Sequence, residues 1–296
     1  MNRGGCTRRT FLKGATALGG AASIGLLPQE CHGNRTPTRI LGKTGVRVPI
    51  LGVGTASLGY NLPPRESQHL LSTALDLGLT YIDTAPNYAH AQKDIGQVVK
   101  DRRDQVFLAT KVHTADGTTA RLQLEESLRQ LQTDYVDLVQ IHSVGCLNID
   151  RVLAPGGTLE TLLKAKEQKL TKYIGITSHH SAENAIKTLH TNSIDTAMVP
   201  VNIVDRETSN YENEFLPVAE QYGVGVIAMK VFGGTRHTPP GQPNRTGLPP
   251  EQFDSALKYS LGFNNVGCAV IGMDSEKQLR ENVARAMDME CLSRRG

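Results

Sequence analysis

What most constrains this chain is a rhythm repeated eight times: a short apolar run rich in β-forming residues, then a stretch whose apolar positions fall at helical spacing. The apolar runs end at Thr55, Asp83, Lys111, His142, Ser178, Asn202, Lys230 and Gly272. Between them, Leu124, Leu128 and Leu131 share one helical face, as do Ala182, Ala185, Ile186 and Leu189, and later Leu279, Val283 and Ala286. Ser275 and Gln278 have the spacing of a capping box that starts the last helix. Near-continuous apolar strands alternating with helices imply a parallel sheet buried under helices. Eight regular units over about 240 residues fit an α/β closed barrel, the (β/α)8 TIM barrel, better than an open doubly wound sheet. Ahead of it, Arg39 to Val48 reads as an N-terminal β-hairpin turning at a glycine.

A barrel of this type carries its chemistry at the C-terminal ends of the strands. Four polar residues stand there: Asp83, Tyr88, Lys111 and His142. A lysine ending a buried strand is costly by several kcal/mol unless an anion meets it, and Asp83 ends the preceding strand. Taken singly, Asp83 reads as a turn residue and His142 as a structural histidine. Together the four read as a catalytic cluster. A further segment on the same rim, Gly233 to Pro250, is half Gly or Pro and contains Arg236, His237 and Arg245. A loop of that length is expected to be functional. No metal site is expected. The chain has no Cys-x-x-Cys, and His179 and His180 are adjacent, so on extended backbone they face opposite ways. Cys146, four residues past His142, reads as an unreactive thiol near the pocket.

The formal charge of +3 is concentrated at the start of the chain, where Arg3, Arg8, Arg9, Lys13 and Arg35 stand against Glu30 alone. The remainder is close to neutral and has no basic stripe, which argues against nucleic acid as a partner. Arg8-Arg9-Thr10-Phe11-Leu12-Lys13, followed by the Gly- and Ala-rich run Gly14 to Leu27, resembles a twin-arginine export signal. The run is too short for a stable membrane span. The expected division is a leader over 1–35, the barrel over 36–290 and a tail over 291–296. The expected partner is the twin-arginine translocation machinery and the expected location periplasmic or exported. No clean small-x-small cleavage site follows Leu27, so an uncleaved anchor stays open.

Four segments in order and spacing carry a family resemblance: Tyr81-Ile82-Asp83-Thr84-Ala85-Pro86-Asn87-Tyr88, Phe107-Leu108-Ala109-Thr110-Lys111-Val112, Val139-Gln140-Ile141-His142 and Tyr173-Ile174-Gly175-Ile176. Val270-Ile271-Gly272 and Leu279-Arg280-Glu281-Asn282 extend it. From about residue 38 to 287 the chain resembles an aldo-keto reductase. The resemblance implies hydride transfer between a nicotinamide cofactor and a carbonyl or alcohol. Tyr88 would be the general acid/base, Lys111 paired with Asp83 would bias it toward phenolate, and His142 would orient the carbonyl.

It also implies cofactor contacts from Gly54, Thr55, Thr177, Ser178, Asn202, Met229, Lys230, Met273, Ser275, Gln278 and Asn282, with NADP as the cofactor. Departures from the family pattern leave NAD open. Gln92 stands at the usual Glu, Met198 at the Gln that contacts nicotinamide, and Met229 at the stacking aromatic. Gly272 and Gln278 replace the basic pair that grips a 2′-phosphate. The short chain end implies a shallow pocket for a small aldehyde, ketone or sugar. Two alternatives stay open: a sugar epimerase or dismutating oxidoreductase that retains its cofactor, and a low-turnover cofactor-sensing or scaffold protein.

Overall fold

A computed structural model describes residues 36–179, 182–205, 211–236 and 245–293. The proposed leader, His180 and His237 lie outside the described residues. The eight apolar runs form strands β3 (Leu51–Gly54), β4 (Tyr81–Asp83), β5 (Phe107–Val112), β6 (Val136–Ile141), β7 (Thr171–Thr177), β8 (Thr196–Pro200), β9 (Gly225–Met229) and β12 (Val266–Gly272). They pair in parallel and close on themselves in the order β12-β3-β4-β5-β6-β7-β8-β9. The fold is therefore the α/β barrel that the sequence rhythm implies. The hairpin is present as β1 (Thr38–Ile40) and β2 (Arg47–Pro49), paired antiparallel, with Gly45 at φ 68 in the turn.

Strand alternation divides the interior into two cores. Leu51, Val53, Ile82, Leu108, Val139, Ile141, Ile174, Ile176, Ala197 and Val199 face outward into the layer shared with the helices. Tyr81, Phe107, Ala109, Leu138, Met198, Ile227, Met229, Cys268 and Val270 fill the barrel itself. Leu41 and Val48 from the hairpin segment belong to this inner core, so the hairpin plugs the N-terminal end of the barrel. Tyr81, Phe107 and Tyr173 stack in series at 5.1 and 6.2 Å between ring centroids. With the floor filled by packed rings, the opposite rim is the open end.

The helices follow the apolar spacing. They are α1 (Ala56–Asn61), α2 (Pro64–Asp76), α3 (Ala91–Val99), α4 (Gly117–Leu131), α5 (Ile149–Leu153), α6 (Thr158–Glu167), α7 (Ala182–Leu189), α8 (Leu216–Gln221), α9 (Phe253–Leu261) and α10 (Glu276–Ser293). Leu124, Leu128 and Leu131 are buried on α4, and Leu279, Val283 and Ala286 on α10. Asp116 caps α4 by accepting from Thr119 N at 2.9 Å, which satisfies one orphan donor of the first turn.

Two connections differ from the simple rhythm. A single π turn, Tyr211–Phe215, precedes α8. The Gly/Pro-rich segment after β9 carries a small antiparallel ribbon, β10 (Thr235–Arg236) with β11 (Arg245–Thr246). It is thus tied at its base, where Gly247 N donates to Gly234 O at 3.3 Å and Leu248 N to Phe232 O at 3.1 Å. Among the described residues no helix is long and apolar enough to cross a membrane.

Candidate active site

Asp83 closes β4 and faces inward because Tyr81, two residues earlier, does. Lys111 lies on β5 one residue before its end, and Gln140 on β6 beside it in register. All three are buried, Lys111 to 1% exposure. The Lys111 ammonium donates to Asp83 Oδ1 at 2.5 Å and to Thr84 O at 2.8 Å. Gln140 Nε2 donates to the other carboxylate oxygen, Oδ2, at 2.9 Å. Both oxygens of Asp83 accept, which is the pattern of an ionised carboxylate. Burial works against charge on Lys111, yet Asp83, with Tyr88 adding to it, holds the ammonium above its usual range. Burial likewise pushes Asp83 up, against the pull of Lys111 and the Gln140 hydrogen bond. Gln140 is absent from the candidates read in the sequence, although its place two residues before His142 on an alternating strand puts it on the same face.

Tyr88 reaches the cluster through a turn. Tyr88 N donates to Ala85 O at 3.1 Å, with Pro86 at the second position, where its fixed φ suits a β-turn. The turn can lie against α1 because Gly59 has no side chain: a Cβ there would come within 2.1 Å of Tyr88 O. The result puts the Tyr88 ring 4.8 Å from Lys111 Nζ. Its ring also meets His142 edge-on at 6.3 Å between centroids. Four residues from three strand ends and one loop thus converge on one spot.

The electrostatics correct one expectation. The resemblance has Lys111 biasing Tyr88 toward phenolate, and its charge does pull that way. Burial is the larger effect and Asp83 adds to it, so the Tyr88 hydroxyl titrates above the ordinary phenol value of 10.0. In this environment Tyr88 is a phenol carrying its proton. His142 moves the other way, down to about 3, chiefly through burial and then through Lys111, His179 and His113. It is a neutral imidazole across the physiological range. His113, which nothing in the sequence singles out, anchors on it: His113 Nδ1 lies 2.9 Å from the carbonyl of His142 and must be the donor, since the carbonyl only accepts.

The residues expected around a cofactor are placed less uniformly. Gly54 and Gly272 pair across β3 and β12 and leave a strip without side chains at the rim. A Cβ on Gly272 would stand 3.0 Å from Ser57 Oγ, a buried hydroxyl with no protein partner. A side-chain-free strip ending on an orphan hydroxyl, beside the N-terminus of the 18-residue helix α10, fits a phosphate-bearing cofactor. Ser275 and Gln278 sit at that terminus and are exposed. Both also serve the cap, since Ser275 Oγ accepts from Gln278 N at 3.3 Å and Gln278 Oε1 from Asp274 N at 3.0 Å.

Thr55 donates from both N and Oγ1 to Asp83 O, at 3.0 and 2.9 Å. Thr177 Oγ1 accepts from Ser143 N at 2.8 Å, and Ser178 Oγ from Tyr211 Oη at 2.8 Å. Asn202, expected to meet the carboxamide, holds a local turn: its Oδ1 accepts from Val204 N and Asp205 N, and its Nδ2 donates to Asp205. Met273 belongs to the outer core, packed between barrel and helices. Asn282 is buried and accepts from Arg285 at 3.1 Å. Met229 lies in the inner core, and Lys230 follows it with φ 57, its carbonyl accepting from Gly233 N and Gly234 N. No His/Cys/Asp/Glu cluster among the described residues could hold a metal ion.

Comparison with known proteins agrees with this geometry. The model of the aldo/keto reductase family matches residues 50–254. L-galactose dehydrogenase of Arabidopsis thaliana is 28% identical over 294 residues, covering 86% of this chain and 89% of that protein. An aldo-keto reductase from Bacillus halodurans, solved in its holo form, superposes with a TM-score of 0.69 at 26% identity, covering 85% of this chain and 91% of that one. An aldo/keto reductase from Klebsiella pneumoniae in complex with NADP and acetate is similar in fold, with a TM-score of 0.66 at 23% identity over 85% of this chain and 90% of its own.

Proposed function

This chain belongs to the aldo/keto reductase family, and from that premise we propose that Asp83, Tyr88, Lys111 and His142 carry the proton transfer of its reaction. The protein is an NAD(P)-dependent oxidoreductase that interconverts a carbonyl and an alcohol. The nicotinamide cofactor, when bound beside the rim, supplies or accepts the hydride. The protonated phenol of Tyr88 gives its proton to the carbonyl oxygen as the alcohol forms. His142, neutral, holds that oxygen by a hydrogen bond and adds no competing charge. Lys111 stabilises the phenolate that Tyr88 becomes, while Asp83 and Gln140 fix the ammonium in place. The carrying observation is the buried Lys111–Asp83 pair at 2.5 Å with the Tyr88 ring above it. Replacing Tyr88 by Phe tests it: reductive kcat falls by about 10²–10⁴ with cofactor affinity retained. Unchanged turnover in a folded Tyr88→Phe protein would refute it.

The substrate is read as a small polar carbonyl, an aldose above others. Tyr60, Asn87 and His113 are exposed around Tyr88, and the chain has no tryptophan to build an apolar wall. The similarity to a sugar dehydrogenase supports the same class. A higher kcat/KM for an aldose than for an alkyl aldehyde of equal size is expected; the reverse order would exclude the reading.

NADP is the cofactor read from the family resemblance, with NAD left open. The charges near α10 make NAD an effective alternative, because Gln278 is engaged in the cap and Arg280 already pairs with Glu276 at 2.6 Å. A 2′-phosphate would have to draw Arg280 away from that acid. Calorimetry is expected to show both cofactors binding with little preference.

Residues 1–35 are read as a twin-arginine signal on the strength of Arg8-Arg9 before Phe11-Leu12-Lys13. An Arg8→Lys, Arg9→Lys leader fused to a folded reporter should lose export. Export would separate the enzyme from the cytoplasmic nicotinamide pool, which favours a cofactor loaded before transport and retained. Loss of nicotinamide on dialysis of the native protein would count against retention.

A further inference from the structure

The connection that carries Tyr88 is strained and tied down. Ala89, the next residue, sits at φ 45. A left-handed backbone at an alanine brings its Cβ too close to the following carbonyl oxygen, and such a conformation persists only where its surroundings impose it. Ala91 N supplies one tether, donating to Tyr88 O at 2.9 Å. Tyr60 supplies another, its hydroxyl donating to the carbonyl of Asn87. The strongest is His90. Its Nδ1 lies 2.6 Å from Asp94 Oδ2 on α3, and its Nε2 3.0 Å from the carbonyl of Leu62 at the end of α1.

The proton count in this arrangement is fixed by chemistry. The Leu62 carbonyl only accepts, so Nε2 carries a hydrogen. Asp94 Oδ1 accepts from Gln68 Nε2 of α2 at 3.0 Å, leaving Oδ2 for His90. With Nε2 already protonated, a hydrogen bond at Nδ1 needs a second proton between Nδ1 and Oδ2. Without it two lone pairs would face each other at 2.6 Å. Both hydrogen bonds at His90 thus call for a hydrogen on each ring nitrogen. Asp94 is 3% exposed and His90 29%, so the contact is largely shielded from water, and charge-assisted bonds of this kind are the strong ones.

We propose that His90 is a positioning residue: the proton-bridged His90–Asp94 pair latches the Tyr88 connection to α1, α2 and α3 and so fixes the phenol over Lys111. The proposal rests on the proton-donor reading of Tyr88. A shift of the phenol by an ångström is enough to lower turnover by about 10²-fold.

Three variants and one spectrum test it. His90→Ala should lower kcat by tenfold or more, with KM and the calorimetric affinity for the cofactor close to those of the parent. Asp94→Ala should do the same. Asp94→Asn should recover most of the loss, because its amide can donate to a bare Nδ1 and still accept from Gln68. In ¹⁵N spectra of the parent, the His90 signals, assigned by their disappearance in His90→Ala, should show a hydrogen on both ring nitrogens. In Asp94→Asn, Nδ1 should become unprotonated. A folded His90→Ala protein with parental kcat, a bare Nδ1 in the parent, or an Asp94→Asn protein as impaired as Asp94→Ala would each overturn the latch. If Tyr88→Phe collapses turnover while His90→Ala does not, only the latch fails. If neither affects turnover, the proton-donor reading fails as well.

Discussion

The rim from β3 to β6 and the rim from β7 round to β12 open on the same mouth, but they are built in opposite ways. On the first, ionisable side chains are driven into the barrel and each is held by others: Lys111 by Asp83 and Thr84, Asp83 by Lys111 and Gln140. On the second, side chains that could face a ligand are engaged in capping, turning or packing. Ser275 and Gln278 close the start of α10, Asn202 forms a turn and Met273 fills the outer core. What that rim presents instead is backbone and glycine, at Gly272 where β12 meets Gly54 of β3. Proton transfer needs fixed groups of tuned acidity, which burial provides only when every charge has a partner. A dinucleotide can be gripped by helix ends and close backbone approach, which tolerate variable side chains.

The largest effect is expected from breaking the first rim. Lys111→Met leaves Asp83 buried without its cation and should destabilise the fold by about 3–5 kcal/mol, read from denaturant unfolding, and abolish turnover. Adding Asp83→Asn should restore much of the stability and none of the activity. Recovery of activity in the double variant would mean the pair is only structural.

A smaller effect follows from His142, and the sign is fixed by its shift. Its folded value of about 3 lies below the ordinary imidazole value of 6.5, so the unfolded chain binds a proton that the native state refuses. Its contribution to stability is full above 6.5 and is lost as pH falls from there toward 3. His142→Gln should flatten the fall in Tm over that range; an unchanged slope would mean the imidazole is more open to water than its burial indicates.

The smallest effect belongs to the second rim. Gln278→Arg restores a cation at the start of α10 and should shift binding toward NADPH over NADH by about tenfold, the worth of one charge-assisted hydrogen bond. The lost cap lowers stability by about 1 kcal/mol. No change in preference would place the adenosine end of the cofactor elsewhere.

The same contrast governs what is legible in the sequence. The barrel and its hairpin are legible because burial on both faces leaves uninterrupted apolar strands, and their expected ends fall within two residues of the observed ones. The catalytic candidates are legible because a charge closing such a strand is costly unless a counter-charge or a ligand meets it. Gln140 stays silent because an uncharged side chain raises no such alarm. His90 is hidden differently. Its partner Asp94 is only four residues away, but Leu62, its other partner, and Gln68, which holds Asp94, come from segments that only the packed structure brings to it. The direction of the Tyr88 shift is not legible either, since it depends on how far burial outweighs a nearby cation. Asn202 and Met273 are matched by sequence position alone, and the turn and the core that claim them depend on backbone geometry.

In the proposed mechanism, reduction at this rim turns on Tyr88 keeping its proton despite the lysine beside it. Single-turnover reduction of an aldose by the protein preloaded with reduced nicotinamide, followed across alkaline pH, measures this directly. Because burial raises the phenol above its ordinary value of 10.0, the rate should hold level through neutral and mildly alkaline pH and fall only beyond that value. A rate already falling near neutral pH, and restored to pH independence by Tyr88→Phe at a low residual level, would show that Lys111 wins over burial and would contradict it.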